Sequence, residues 1–331
     1  MAVETCGVCG SDIHAYLGHH PFMVPPLQPG HEFAGKIDEV GEGVTDWKVG
    51  QRVATEPSLN CQKCPPCLDG RYHICSELRV IGATAPGAMA DYVVVPSRKL
   101  IALPDELSFE QGAFLEPLAV GVHAIARTEV GPDTRLLILG SGTIGLMTLF
   151  AALAKGVREI TVTDLVEDKL TLARKLGARH TVNASKTQLG EFCRTTYGEE
   201  MAFDAAAECV GTESTVRDGL PILRRGGKMI IVGVFPNDVS APIGLLQDRE
   251  IDLLGSLMYQ ICDFKTARDL IASGQAPVER LISARYPLTE IVEAFQKIES
   301  QPETNTKTMI HVRPQCEQPT GSLDDSTNDE A

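Results

Sequence analysis

The 331-residue chain is 43% hydrophobic and 22% charged, an ordinary balance for a globular protein and length enough for two separate cores. A net charge of −14 with no basic cluster argues against a nucleic-acid partner, and no apolar run is long enough to span a membrane. Ten cysteines, with nothing at the N-terminus resembling a signal peptide, point to a reducing, cytoplasmic setting in which thiols serve metal.

Residues 1–117 are rich in glycine, proline and short alternating runs. EFAGKIDEVG, QRVATEP and ADYVVVPSRKLIALP each read as a strand bounded by turn residues, which predicts an all-β, barrel-like first domain. Over residues 118–258 the period changes. RLLILG, EITVTD, HTVN, FDAAAECVG, GKMIIVGV and DLLGS read as strands, interleaved with helices in TIGLMTLFAALAKG, VEDKLTLARKLGA and TESTVRDGLPIL. That alternation predicts a doubly wound parallel sheet. Residues 259–313 hold helices in FKTARDLIASG and TEIVEAFQKIES and a terminal strand in TKTMIHV, placed to return to the first domain. The last segment, 314–331, is polar, acidic and aperiodic and reads as a disordered tail.

Cys61, Cys64, Cys67 and Cys75 form a C-x2-C-x2-C-x7-C run confined to 15 residues. Thiolates are soft ligands, and four on one short loop close a tetrahedron around zinc; the adjacent x2 spacings make poor disulfide loops. A closed site leaves no room for substrate, so this zinc is expected to be structural. In the second domain Gly140, Gly142 and Gly145 form GSGTIG, between a strand and the helix that carries Ile144. The first glycine permits the tight turn, the second lets backbone approach a pyrophosphate, and the third allows close helix–strand packing. The helix N-terminus offers free N–H groups to the phosphates. Asp164, 19 residues after Gly145, stands where a carboxylate accepts hydrogen bonds from the ribose hydroxyls and repels a 2′-phosphate. The expected cofactor is NAD, with Lys169 within reach of the ribose. CGVCGSDIH, followed by GHE at Gly30–Glu32, supplies a thiolate, an imidazole and a carboxylate, the ligand types of a catalytic zinc with an open position.

GHEFAGKIDEVGEGV follows the pattern G-H-E-x2-G-x5-G-x2-V, which resembles the signature of the zinc alcohol dehydrogenases of the medium-chain dehydrogenase/reductase superfamily. CGSDIH, FLEPLAVGVHA and TVTDL are most similar to its polyol branch of sorbitol, butanediol and threonine dehydrogenases. The resemblance runs from residue 6 to 313 and implies a GroES-like catalytic domain beside a Rossmann domain. It also implies NAD and two zinc ions per chain, a small alcohol as substrate, a ketone as product, and a homodimer or homotetramer. By the same resemblance Cys9, His31 and Glu32 are catalytic zinc ligands, and Glu116 stands at the metal directly or through water. Ser11 and His14 match the proton relay, with the proton passing through the nicotinamide ribose. Cys6 is expected to be structural, Asp12 to support its turn, and Ser108 with Gln111 to cap the helix start leading toward Glu116. His19, His20, His73 and His123 carry no motif.

Two departures stand out. Only eight residues precede Cys9, where relatives have a few tens, so sheet edge and apolar surface are expected to be bared beside the catalytic metal. Ala15 and Met258 stand where sorbitol dehydrogenases carry an aromatic residue and an arginine. The alternatives are therefore a truncated, non-catalytic NAD-binding relative or a zinc-free quinone reductase, the latter opposed by Cys9, His31 and the cysteine lobe.

Overall fold

A computed structural model describes residues 1–313; the expected acidic tail lies outside them. In chain order the first part runs β1 (Ala2–Val8), α1 (Gly10–Tyr16), β2 (Glu32–Lys36), β3 (Arg52–Thr55), β4 (Ser58–Leu59), α2 (Pro65–Leu68), β5 (Arg79–Val80), β6 (Leu100–Ala102), α3 (Phe109–Ala113) and α4 (Leu115–Thr128). There follow β7 (Arg135–Leu139), α5 (Thr143–Ala154), β8 (Glu159–Asp164), α6 (Glu167–Lys175), β9 (His180–Asn183), α7 (Leu189–Tyr197), β10 (Phe203–Glu208), α8 (Glu213–Gly219), β11 (Leu223–Ile231), α9 (Gly244–Arg249) and β12 (Asp252–Gly255). The chain closes with α10 (Ile261–Ala272), β13 (Ile282–Pro287), α11 (Ile291–Ser300) and β14 (Lys307–His311).

One six-stranded sheet has the order β12-β11-β10-β7-β8-β9 with every pair parallel. Strand order reverses between β7 and β10, so a crevice opens beyond their C-terminal ends, the switch point where doubly wound sheets bind ligands. β-Branched runs such as EITVTD make these central strands, and α5, apolar around most of its surface, is buried as such a helix must be.

The other six-stranded sheet has the order β13-β14-β1-β2-β3-β6. β1 is interior, antiparallel to β14 on one side and to β2 on the other, so the returning C-terminal strands complete the first sheet. The stretch expected as one strand over residues 90–104 forms strand only at β6. Asp91 and Val93 bond the backbone of Val3 and Met1, yet only a single bridge, Ala2 to Tyr92, is made, and Val94 is 95% exposed. The sheet edge expected to be bared beside Cys9 is instead paired, Val8 with Thr308 of β14 and Gly7 with Glu32 of β2, because the returning C-terminal strand fills that side. A single apolar core joins the two halves: Ala34 and Ala54 of the first sheet, Leu115 and Leu118 of α4, Ile138 of β7, Met147 and Phe150 of α5 and Phe264 of α10 belong to one buried cluster.

The Ser108–Gln111 capping box opens α3, and Glu116 sits in the first turn of the next helix, α4. Glu110 of α3 fastens the returning strands. It accepts from Arg285 Nε at 2.7 Å and Nη2 at 3.0 Å, and pairs with His311 Nε2 at 2.8 Å. Burial alone would raise its pKa, but the bonds from His311 and Arg285 outweigh it and hold the carboxyl near 2. A folded pKa depressed below the ordinary carboxylate value stabilises the fold above that ordinary value, and the stabilisation is lost as pH falls toward the folded pKa. Glu110→Gln is expected to cost about 1.5–3 kcal/mol at neutral pH, with the gap from the parent protein constant above about 4.5 and closing as pH falls from there to about 2. Urea unfolding of both proteins across that range checks it; a gap independent of pH refutes it.

Candidate active site and metal centres

The four cysteines fold as a lobe between β4 and β5. Cys64 caps α2 with Pro65 at its first position, and a 3-10 turn over Tyr72–Ile74 leads into Cys75. All four sulfurs lie within 4.8 Å of one another, with Cys61 to Cys67 at 4.0 Å and Cys64 to Cys75 at 3.8 Å. Sulfurs about 2.3 Å from a tetrahedral zinc stand about 3.8 Å apart, so the spacing fits the ion and is far too long for disulfides. Backbone N–H groups point at the sulfurs, from Cys64 to Cys61 at 3.4 Å and from Cys61 and Glu77 to Cys75 at 3.3 Å. Backbone hydrogen bonds at Ser76 and Cys67 draw the Cys64 thiol down to about 6, toward the thiolate that metal needs.

The second cluster is built by strand pairing. β1 delivers Cys9, which caps α1; β2 opens with Glu32, opposite Gly7 on β1, just after His31. Gly30 of GHE has φ +104, and a Cβ there would stand 2.7 Å from the backbone nitrogen of Met89, so no other residue fits the turn that presents His31. One ligand atom each from Cys9, His31 and Glu32 lies within 4.8 Å of the other two, and His31, Glu32 and Glu116 are all buried. A thiolate, an imidazole and a carboxylate this close together form the donor set of a catalytic zinc, and the group of three does not include Glu116. Electrostatics agree. Burial would lower the His31 pKa, yet Asp12 and Cys9 lift it well above its ordinary value, as a pocket that attracts positive charge does. Glu116 is raised to about 7, chiefly by burial.

Three partners of this cluster carry no motif. Asp12 accepts from the Cys9 backbone N–H at 2.9 Å through Oδ2, and its Oδ1 stands 3.6 Å from His31 Nδ1. It is a buried carboxylate that faces the imidazole at ion-pair distance without a hydrogen bond, beyond the turn support expected of it. Lys307, on β14 and 1% exposed, places Nζ 2.8 and 2.6 Å from the two Glu32 oxygens and 3.1 Å from Val8 O. The carboxylate of Glu32 is thus shared with a buried cation. Tyr259, fully buried, donates its hydroxyl to Glu116 Oε1 at 2.8 Å. A Cys-x2-Asp spacing resembling a capping box is the one sequence signal that could have marked Asp12.

On the cofactor side, Gly140 turns at φ +98 and Gly142 caps α5 with open space where a Cβ would be, while a Cβ on Gly145 would stand 1.9 Å from Gly140 O. The turn can therefore receive a diphosphate close to its backbone. Asp164 closes β8. Its Oδ2 accepts from Ser141 N at 2.8 Å and Ser141 Oγ at 3.1 Å, its Oδ1 from Leu165 N at 2.8 Å and Val166 N at 3.0 Å, which fixes the carboxylate at the crevice. Lys169 reaches Pro302 O at 3.0 Å. Two cavities of ≈ 200 and ≈ 220 Å³ share Cys9, Gly10, Ile144 and Cys209; the first adds Ser11 and His14, the second Glu32, Gly142 and Lys307. One cleft thus joins the glycine turn to the metal cluster. A separate concavity of ≈ 790 Å³ around Val40 and Val94 contains none of these groups. Of the other histidines, His73 and His123 meet edge to face, ring centroids 4.8 Å apart, between the lobe and α4, while His20 Nδ1 accepts from the backbone N–H groups of Phe22 and Met23.

The chain matches the alcohol dehydrogenase GroES-like domain over residues 1–105 and the zinc-binding dehydrogenase domain over residues 143–273. It is 35% identical over 305 residues to the L-idonate 5-dehydrogenase of Vitis vinifera, covering 89% of this chain and 83% of that protein. It is 35% identical over 304 residues to the sorbitol dehydrogenase of Bacillus subtilis, covering 90% and 85%. An Escherichia coli oxidoreductase/dehydrogenase of unknown specificity, solved as a crystal structure, superposes with a TM-score of 0.89 at 31% identity, covering 95% of this chain and 91% of that one. With a GroES-like sheet completed by its own C-terminal strands, a parallel Rossmann sheet and matches across nine-tenths of its length, the chain belongs to the zinc-containing alcohol dehydrogenases of the medium-chain dehydrogenase/reductase superfamily, in the company of polyol dehydrogenases.

Proposed function

We propose that this protein is a zinc- and NAD-dependent dehydrogenase that oxidises a secondary alcohol, a small diol or sugar alcohol, to a ketone. The observation that carries this reading is the pair of adjoining cavities that share Cys9 and Ile144, one of which is lined by Cys9 and Glu32 of the metal cluster together with Gly142 and Thr143 of the GSGTIG turn. In this reading residues 1–117 form the catalytic domain, 118–258 the cofactor domain, and 259–313 return to the catalytic sheet. A homodimer or homotetramer in the cytoplasm is proposed on family resemblance; among the described residues no helix is long and apolar enough to cross a membrane.

Cys9, His31, Glu32 and Glu116 would hold the catalytic zinc, and Cys61, Cys64, Cys67 and Cys75 the structural one. Zinc at the first site supplies a Lewis acid that lowers an alcohol's pKa, and NAD in the cleft supplies the hydride acceptor. Ser11 sits on the cavity wall in the first turn of α1, and the exposed His14 follows at i+3 on the same helix face. Ser11 would take the alcohol's proton and His14 release it to solvent. With the Asp12 carboxylate beside Nδ1, His31 would offer Nε2 to the ion. Ile144, Val232 and Val234 give the cavity an apolar wall beside Cys9 and Ser11.

Elemental analysis of the purified protein is expected to find two zinc ions per chain. Cys9→Ser should abolish turnover while leaving the fold and the lobe zinc in place, whereas Cys64→Ser should destabilise the lobe and cause aggregation. At most one zinc in well-folded parent protein rejects the assignment.

The Asp164 carboxylate would face a 2′-phosphate, and neighbouring Leu165 offers no cation, so NAD should be used in preference to NADP. Asp164→Ala is expected to narrow the ratio of the two kcat/KM values. Equal efficiency with both cofactors in the parent enzyme contradicts this.

Ala15 and Met258 stand where the resembling sorbitol dehydrogenases carry an aromatic residue and an arginine, and on that resemblance the substrate pocket would have fewer donors for several hydroxyls. Apolar pockets discriminate by only about tenfold to two-hundredfold per methylene, so short vicinal diols should outperform six-carbon polyols by about tenfold or more. Steady-state kinetics on 2,3-butanediol, xylitol and sorbitol decide it, and much higher efficiency with sorbitol or xylitol refutes it.

A further inference from the structure

We propose that Tyr259 is the positioning residue for Glu116 and that the four-cysteine lobe holds Tyr259 in place through Gln260 and Ile261. The inference rests on the reading of Glu116 as part of the catalytic metal site. Tyr259 has 0% exposure, and its hydroxyl gives Glu116 Oε1 a 2.8 Å hydrogen bond. With Oε1 engaged, Oε2 would be the oxygen left for the metal. A flexible glutamate is thereby reduced to one orientation. The backbone in front of Tyr259 reinforces this: Met258 adopts φ +51, a left-handed conformation rare in residues other than glycine, asparagine and aspartate. Such a conformation persists where surrounding structure over-determines it.

The surroundings here are the zinc lobe and α4. Gln260 Nε2 donates to Gly70 O at 2.8 Å and to His73 Nδ1 at 3.2 Å. The Ile261 backbone N–H donates to the Tyr72 hydroxyl at 2.6 Å, and that hydroxyl donates to the buried Glu56 at 3.2 Å. Gly70, Tyr72 and His73 all lie between Cys67 and Cys75, so their places depend on the closed tetrahedron. From the other side, Asp263 accepts from the Gln260 backbone N–H at 2.9 Å and pairs with His123 Nδ1 at 2.8 Å. His123 lies on α4 two turns beyond Glu116 and therefore on the same face. Residues 259–263 form a seam gripped by the lobe on one side and by the helix that carries Glu116 on the other. A zinc that touches no substrate is in this way mechanically connected to the one that does.

The test uses the full chain with zinc in the four-cysteine site and Co(II) exchanged into the catalytic site. Tyr259→Phe keeps the ring and its packing and removes only the hydroxyl. It is expected to lower kcat by about tenfold to a hundredfold, to leave KM for NAD unchanged, and to shift the visible d–d bands of the cobalt. Gln260→Ala, which touches neither Glu116 nor the catalytic cluster, is expected to move the same bands and kcat in the same direction by a smaller factor. Tyr72→Phe is the second lobe-side variant, so poor folding of any one leaves the others decisive. Unchanged cobalt bands and kcat in folded Tyr259→Phe overturn the positioning role. A change in Tyr259→Phe alone, with both lobe-side variants at parent values, overturns the connection to the lobe. Failure of the underlying reading gives a different result: cobalt bands that persist in Cys9→Ser would show that the metal is not at this cluster at all.

Discussion

The antiparallel pairing of β1 with both β14 and β2 is the constraint on which the rest of this molecule depends. It sets Cys9, at the end of one strand, against His31 and Glu32, at the start of the next. It also brings Lys307 across 275 residues of sequence to the Glu32 carboxylate. Closing so long a loop is costly in chain entropy only slowly with length, and the cost is offset by the apolar cluster that Val3, Val8, Phe33 and Ile310 form on these strands. The ends of the chain thus build the catalytic sheet together, and the cofactor sheet is inserted between them.

Burying several carboxylates and a thiol in one pocket is unfavourable unless positive charge compensates them. Lys307 supplies one such charge, with its ammonium saturated by both oxygens of Glu32 and by a backbone carbonyl. The remaining groups of the pocket, Cys9, Asp12 and Glu116, still pull the neighbouring imidazole toward its charged form. The centre is therefore electrostatically prepared for a cation before any metal arrives. The cysteine lobe follows the opposite strategy: its sulfurs are stabilised by local backbone N–H groups from a few residues away, so the site needs little of the surrounding protein.

The same contrast separates what could be read along the chain from what could not. The x2 and x7 spacings of the lobe and the G-x-G-x-x-G turn are legible because their parts are covalently near one another, and local backbone geometry decides the outcome. Period alone located the alternating strands and helices of the cofactor sheet, since buried β-branched strands and an apolar helix leave strong signals. Polar α7, LGEFCRTTY, and the short α9 left weak ones. ADYVVVP has the alternation of a strand but makes a single bridge, because pairing is a property of neighbours and not of the segment.

By itself the sequence determined the family, the pairing of a GroES-like with a Rossmann-type fold, the close spacing of the four cysteines, and the presence of Cys9, His31, Glu32 and Asp164 as chemically apt side chains. Only the tertiary structure decided what each of them faces. Asp12 stands behind His31, Lys307 holds Glu32, and Tyr259 holds Glu116 from 143 residues away, while the metal cluster and the glycine turn open on one cleft. The physical reason is that ligand spacing within a loop is set by bond geometry. Contacts between buried polar groups distant in sequence are set by strand register and helix docking, and these emerge only when the whole core is packed.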